Sequence, residues 1–191
     1  MNQRLEHRQA PERVVKEQFT LRRPRSTDAA AILQSYAGDP EVTRLLAWPR
    51  HRSIEDTLSF VKWSDQAWGS MPAGPYLILD REDRVLGTTG LDVETPWRAA
   101  TGYVLRRDAW GRGLATEVTV AMTRLADDLG VVRLHALCHP DKHRVGACPG
   151  QGRFPSGRCA SPPHLLPEHR PRRAAGRRDL GPGQSGKGRT W

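Results

Sequence analysis

Sixteen consecutive residues constrain this chain more than any others: Gly102-Tyr103-Val104-Leu105-Arg106-Arg107-Asp108-Ala109-Trp110-Gly111-Arg112-Gly113-Leu114-Ala115-Thr116-Glu117. A short strand-like run gives way to a turn holding two glycines, and apolar residues at helical spacing follow. The spacing predicts a strand, a tight turn and the start of a long helix. The first N–H groups of a helix have no intrahelical partner, and the helix dipole places partial positive charge beside them. An anion, above all a phosphate or diphosphate, fits at such a point. Gly111 and Gly113 let the backbone approach it without a Cβ in the way, and Arg112 adds a positive side chain. The plainer reading of the same glycines is a turn that only joins strand to helix.

The spacing excludes two common phosphate motifs. No G-x-x-x-x-G-K-[ST] is present, and no third glycine completes G-x-G-x-x-G. What stands here is W-G-R-G-L-A-T-E after G-Y-V-L. Together these resemble the GNAT acetyltransferase superfamily, in the branch that acetylates the N-termini of ribosomal proteins. The resemblance implies an α+β fold with a mixed, mostly antiparallel central sheet flanked by helices, truncated here at its C-terminal end. It implies that the turn holds the diphosphate of acetyl-coenzyme A through the backbone of Gly111, Arg112, Gly113, Leu114 and Ala115, with Thr116 near. Leu105 is then the strand residue that pairs with the pantetheine arm. The implied reaction is direct acetyl transfer to an amine, either a small molecule or a protein N-terminus. It needs no metal and no covalent enzyme intermediate.

The rest of the chain is consistent with that order of elements. Residues 1–18 are polar and charged and read as a frayed N-terminal arm. Residues 19–22 alternate apolar and polar, as a half-buried strand does. Ser26 or Thr27 caps a helix through Ile32, Leu33 and Tyr36, which Gly38-Asp39-Pro40 ends. Leu45, Leu46 and Trp48 make an apolar patch. Ser53 opens a second helix, with Asp56 at the third position after the cap. Leu58, Val61 and Trp68 share one face of it, broadened by Phe60 and Trp63; the resemblance makes these two helices one wall of the acceptor site. Residues 76–79 and 85–91 read as paired strands around a turn at Glu82-Asp83. Pro96 falls in a loop. The next helix, residues 112–129, carries Leu114, Val118, Met122, Leu125 and Leu129 on one face and ends at Gly130. Residues 131–138 form a further strand.

Charge is unevenly placed. Of the net +9, residues 145–191 carry +7, from nine Lys and Arg against two Asp and Glu. The front of the chain is therefore an ordinary globular sequence and the back a basic tail. That tail holds nine glycines and seven prolines in 47 residues, above the roughly 25–30% that marks low complexity. The expected organisation is an arm at 1–18, an incomplete acetyltransferase domain at 19–144, and a disordered tail at 145–191. A different class of function also fits such a tail: a non-enzymatic protein whose Arg170, Arg172, Arg173, Arg177 and Arg178 bind nucleic acid. No aromatic residue interleaves that arginine run, and an incidental charge run is the plainer account.

The genetic code offers a test of the tail. Codons permitted for Val145 onward, read one base later with free synonymous third bases, allow S-A-R-V-L-D-K-A-G-F-R-R-E-G-V-L-R-R-H-I-F-F-P-N. The GNAT pattern at this point is N-x-x-S-x-x-V-L-x-K-x-G-F. The expectation is a slip of reading frame near Arg144, which the nucleotide sequence across codons 141–158 tests. On that account the chain lacks the family's last helix and strands, and its activity is impaired.

Departures from the family bear on chemistry. Asp108 stands where a Gln or Arg is frequent, and Ala100 where related branches place an acidic base. Lys142 and Val145 stand where Asn and Ser are usual. No catalytic acid or base can be named; Tyr103 offers a hydroxyl, although a packed strand residue is the simpler reading. His135, His139 and His143 are spaced by four, but a strand and Pro140 break any helix, so no metal site is expected. Cys138, Cys148 and Cys159 have no C-x-x-C spacing and suggest neither disulfides nor zinc. No apolar run is long enough to cross a membrane, and the charged N-terminus is no signal peptide. The expected location is cytoplasmic.

Overall fold

A computed structural model of the chain describes residues 8–136. The arginine run, Lys142, Val145, His139, His143 and all three cysteines lie outside these residues, as does the expected tail. Among the described residues, six strands form one sheet in chain order, β1 to β6. They are β1 (Arg13–Val15), β2 (Thr20–Arg22), β3 (Pro75–Leu79), β4 (Val85–Thr95), β5 (Arg98–Leu105) and β6 (Arg133–Ala136). The first five run antiparallel and β6 runs parallel to β5. The helices are α1 (Ala29–Ile32), α2 (Pro40–Thr43), α3 (Ile54–Ser70) and α4 (Leu114–Leu129). The α+β fold with a mixed, mostly antiparallel sheet is therefore the one expected.

Two apolar clusters cover the two faces of the sheet. Leu21, Tyr76, Ile78, Leu91, Val93, Ala99 and Leu105 pack against Leu114, Val118, Met122, Leu125 and Leu129 of α4. The helix is long, and its apolar stripe covers this face together with Ala10, Phe19 and Trp68. Leu77, Leu79 and Val85 pack against Ile32, Tyr36 and Val61 on the other. Strand β3 is buried at every position because both clusters draw on it. Full burial of Trp68 is compatible with its indole because Nε1–H donates to the Pro75 carbonyl at 2.9 Å.

Several details differ from the sequence reading. The supposed frayed arm contains β1, paired with β2 from Arg13 to Arg22, and Ala10 is buried. Three residues are too few to show alternation, so the strand left no pattern. The first helix is not capped by Ser26 or Thr27. Instead the Asp28 carboxylate accepts the Arg25 N–H at 2.7 Å and two bonds from Arg22 at 2.7 and 2.8 Å. A π-helical turn, Leu33–Ala37, then continues α1. Leu58 is exposed; Thr57, Val61, Ser64 and Trp68 form the buried face of α3. Pro96 and Trp97 form a two-residue hairpin turn, since Thr95 already faces Arg98.

Candidate active site

Strand β5 delivers the chain to the glycine turn. Beyond its last residue, the Arg106 N–H still donates to the Leu86 carbonyl at 2.8 Å. One 3-10 turn follows, Arg107–Ala109. The Trp110 indole N–H then donates back to the Leu105 carbonyl at 2.8 Å, closing the corner. Gly111 and Gly113 adopt φ of +74° and +79°. A Cβ on either would meet no atom within 4 Å. The left-handed backbone is thus the reason for glycine here, and crowding is not.

Gly113 sits at the N-cap of α4, and no side chain caps the helix. The first backbone bonds of α4 come from the Thr116 and Glu117 N–H groups, at 3.0 and 3.2 Å, both to the Gly113 carbonyl. The N–H groups of Leu114 and Ala115 precede them. Leu114 is buried and anchors the turn from below, while Gly111, Arg112 and Gly113 are exposed. The positive end of a sixteen-residue helix is therefore presented at an exposed corner.

Charges nearby are mostly spoken for. Arg106 Nε lies 2.6 Å from Asp108, which cancels the carboxylate standing next to the turn. Arg107 Nε lies 2.7 Å from Asp39 and ties the corner to the start of α2. Among the described residues, Arg112 makes no ion pair. Arg112, Leu114 and Arg106 line an open groove of about 570 Å³. Arg107 also lines a larger one of about 710 Å³, with Asp39, Arg50 and His51. Burial pushes His51 below the ordinary histidine value, with Asp56 opposing, and its Nδ1 lies 2.9 Å from the Thr57 hydroxyl. Trp48, His51, Phe60 and Trp63 follow one another with ring centroids 5.2, 6.4 and 6.0 Å apart.

The structure brings Gly111, Arg112, Gly113, Leu114, Ala115 and Thr116 together at one helix start, and places Leu105 at the strand end that feeds it. Leu105 pairs with Gly87 on the β4 side. The described β5–β6 register ends at Thr101 and Ala136, so the stretch from Gly102 to Leu105 lies beyond it. Tyr103 is half-buried and packs against the larger apolar cluster. Sequence reasoning missed a polar row on β4 and β6, formed by Asp92, Glu94 and His135. Its signal was present in Leu91-Asp92-Val93-Glu94, where acids alternate with buried aliphatics.

An α+β sheet that ends in a glycine corner and an uncapped helix start has the geometry of an anion-binding fold. Comparison with known proteins makes the class specific. The family model described as acetyltransferase (GNAT) domain matches residues 18–149. An uncharacterized N-acetyltransferase p20 of Bacillus licheniformis is 30% identical over 132 residues, covering 65% of this chain and 72% of that protein. Among solved structures, the ribosomal L7/L12 alpha-N-protein acetyltransferase RimL is similar with a TM-score of 0.62 at 22% identity, over 71% of this chain and 75% of that one. The microcin C7 self-immunity acetyltransferase MccE is similar with a TM-score of 0.62 at 20% identity, over 70% and 76%. The chain belongs to the GNAT acetyltransferase family, as an N-acetyltransferase.

Proposed function

We propose that this chain transfers the acetyl group of acetyl-coenzyme A to an amine, either a small molecule or a protein N-terminus. The observation that carries the reading is the start of α4: two left-handed glycines, no capping side chain, and N–H groups at an exposed corner. In this reading the backbone of Gly111, Arg112, Gly113, Leu114 and Ala115 holds the diphosphate, Arg112 adds charge, and Thr116 lies near. The pantetheine arm runs along the Gly102-to-Leu105 end of β5. Two similar folds support it: RimL has been solved with coenzyme A, and MccE with acetyl-CoA and AMP.

Acetyl-CoA supplies an activated acyl group when bound. The chain's own contribution is to fix the diphosphate and to offer the end of β5 to the arm. Stabilisation by oriented N–H dipoles requires no reorganisation on binding. The catalytic unit of the proposal is residues 19–144, with the cytoplasm as its location. Isothermal titration of the full chain with acetyl-CoA tests the reading. Binding that is lost when Gly113 is replaced by Asp supports it. No binding by the unaltered chain overturns it.

A further inference from the structure

We propose that Asp92 accepts the proton of the acceptor ammonium, with His135 as its positioning partner across Ala100. The proposal rests on the acetyl-transfer reading and assigns the base that reading lacks.

Register and alternation place the residues. Leu91, Val93 and Ala99 belong to the cluster under α4. Asp92, Glu94, Arg98 and Ala100 therefore point to the opposite face. Asp92 stands opposite Ala100, and Ala100 opposite His135. Two strand spacings put the outer backbones roughly 9–10 Å apart. Between them Ala100 offers only a methyl group, so its own side chain does not separate the carboxylate from the imidazole.

The other charges of this face are committed elsewhere. Glu94 lies 2.5 Å from Arg98 through one oxygen and 3.6 Å from His135 Nε2 through the other. Arg133, paired in register with Arg98, is exposed. Asp92 is half-buried and makes no hydrogen bond or ion pair with the described residues. Burial, reinforced by Glu94 and opposed by His135, raises its carboxyl above the ordinary range. His135 Nδ1 is buried without a hydrogen-bond partner. A cluster serving packing alone would satisfy these groups on each other, because unpaired buried polar atoms are costly. Here the Asp92 carboxylate and His135 Nδ1 keep capacity to spare on the same face of the sheet, either side of Ala100. Ala100 is one residue short of the last β5–β6 pair and two short of Gly102.

The chemistry balances. The acceptor nitrogen bonds to the acetyl carbon as the carbon–sulfur bond breaks. One ammonium proton passes to Asp92 and on to water, and the second leaves with the thiolate as the coenzyme thiol.

The test uses the full chain, acetyl-CoA, and an alanine-initiated tetrapeptide as the amine probe. Asp92→Asn is expected to bind acetyl-CoA within about twofold of the unaltered chain. Its thiol release, as kcat/KM, should fall at least about 100-fold, with the acid limb of the pH profile lost. Asp92→Glu should restore part of the rate. His135→Gln should move the acid limb to higher pH, because the charge opposing the Asp92 shift is gone. A second readout does not need turnover: the Asp92 carboxyl carbon, followed by NMR in labelled protein, should shift when the peptide is added. Unchanged turnover in Asp92→Asn, or a carboxyl signal indifferent to the peptide, overturns the proposal while leaving acetyl-CoA binding intact. Failure of the unaltered chain to bind acetyl-CoA overturns the acetyl-transfer reading and this proposal with it.

Discussion

The two long helices begin in opposite ways. Helix α3 starts with a reciprocal side-chain cap: the Ser53 hydroxyl accepts the Asp56 N–H, and the Asp56 carboxylate accepts from Ser53 and Arg52 at 3.1 and 2.8 Å. Helix α4 starts on Gly113, with no side chain at all. The short helical start at Ser26 resembles α3, since Asp28 takes the Arg25 N–H. A serine or aspartate N-cap adds about 1 kcal/mol of stability, and acidic or hydroxyl groups stand at the starts of α2, α3 and the turn at Ser26. Leaving α4 uncapped forgoes that gain at the one place where the family fold needs donors facing outward. On the proposed function, the difference separates helix starts that serve stability from one that serves a ligand.

The sharpest way to break the contrast is to cap α4. Gly113→Asp places a carboxylate among the free N–H groups, with moderate strain from the positive φ. We expect acetyl-CoA affinity to fall at least about 100-fold, or about 3 kcal/mol, by calorimetry. The melting temperature should fall only a few degrees. Gly113→Ala, which adds strain without charge, should lose much less affinity.

Uncapping the other starts should do the reverse. Asp28→Ala removes the Arg25 cap and leaves a mostly buried Arg22 unpaired, for a cost of about 2–3 kcal/mol in denaturant unfolding. Burial alone would raise the Asp28 carboxyl. Its bonds from Arg22 and Arg25 outweigh that and hold it below the ordinary value of 3.8. Because the folded value is depressed, its contribution is complete above that ordinary value and is lost as pH falls through the lower folded one. The variant should therefore lose less stability than the unaltered chain between neutral pH and pH values below about 4. Ser53→Ala should cost about 1 kcal/mol of stability and leave acetyl-CoA affinity unchanged. The smallest effect is expected for Trp110→Phe. Losing its bond to Leu105 should cost about 0.5–1.5 kcal/mol and weaken acetyl-CoA binding a few-fold, because the corner that positions the glycines is looser.

The same contrast explains what could be read from sequence. Ser53 with Asp56, Gly111 with Gly113, and the apolar stripe of α4 are local signals, and each appeared where its spacing put it. Strand β1 was hidden because Arg13, Val14 and Val15 depend on β2 for their bonds and on little of their own character. Local spacing favours Ser26 and Thr27 over Asp28, because the decisive partner of Asp28, Arg22, belongs to the preceding strand. Leu58 looked buried because helical spacing alone cannot tell the face turned to the sheet from its flank. The Asp92–Ala100–His135 row is legible only in part: the alternation of Leu91-Asp92-Val93-Glu94 marks a polar face, but the three residues meet only through the register of three strands. The family resemblance reached the glycine corner residue by residue. It gave no base, because its usual position holds Ala100.

The central claim is that the start of α4 is a diphosphate cradle. Its most direct test is amide NMR of the full chain titrated with acetyl-CoA. The account predicts that the largest shifts fall on the N–H groups of Arg112, Gly113, Leu114 and Ala115, while those at the start of α3, Ile54 to Asp56, stay still. Saturable binding with shifts elsewhere and none at these four amides would contradict it.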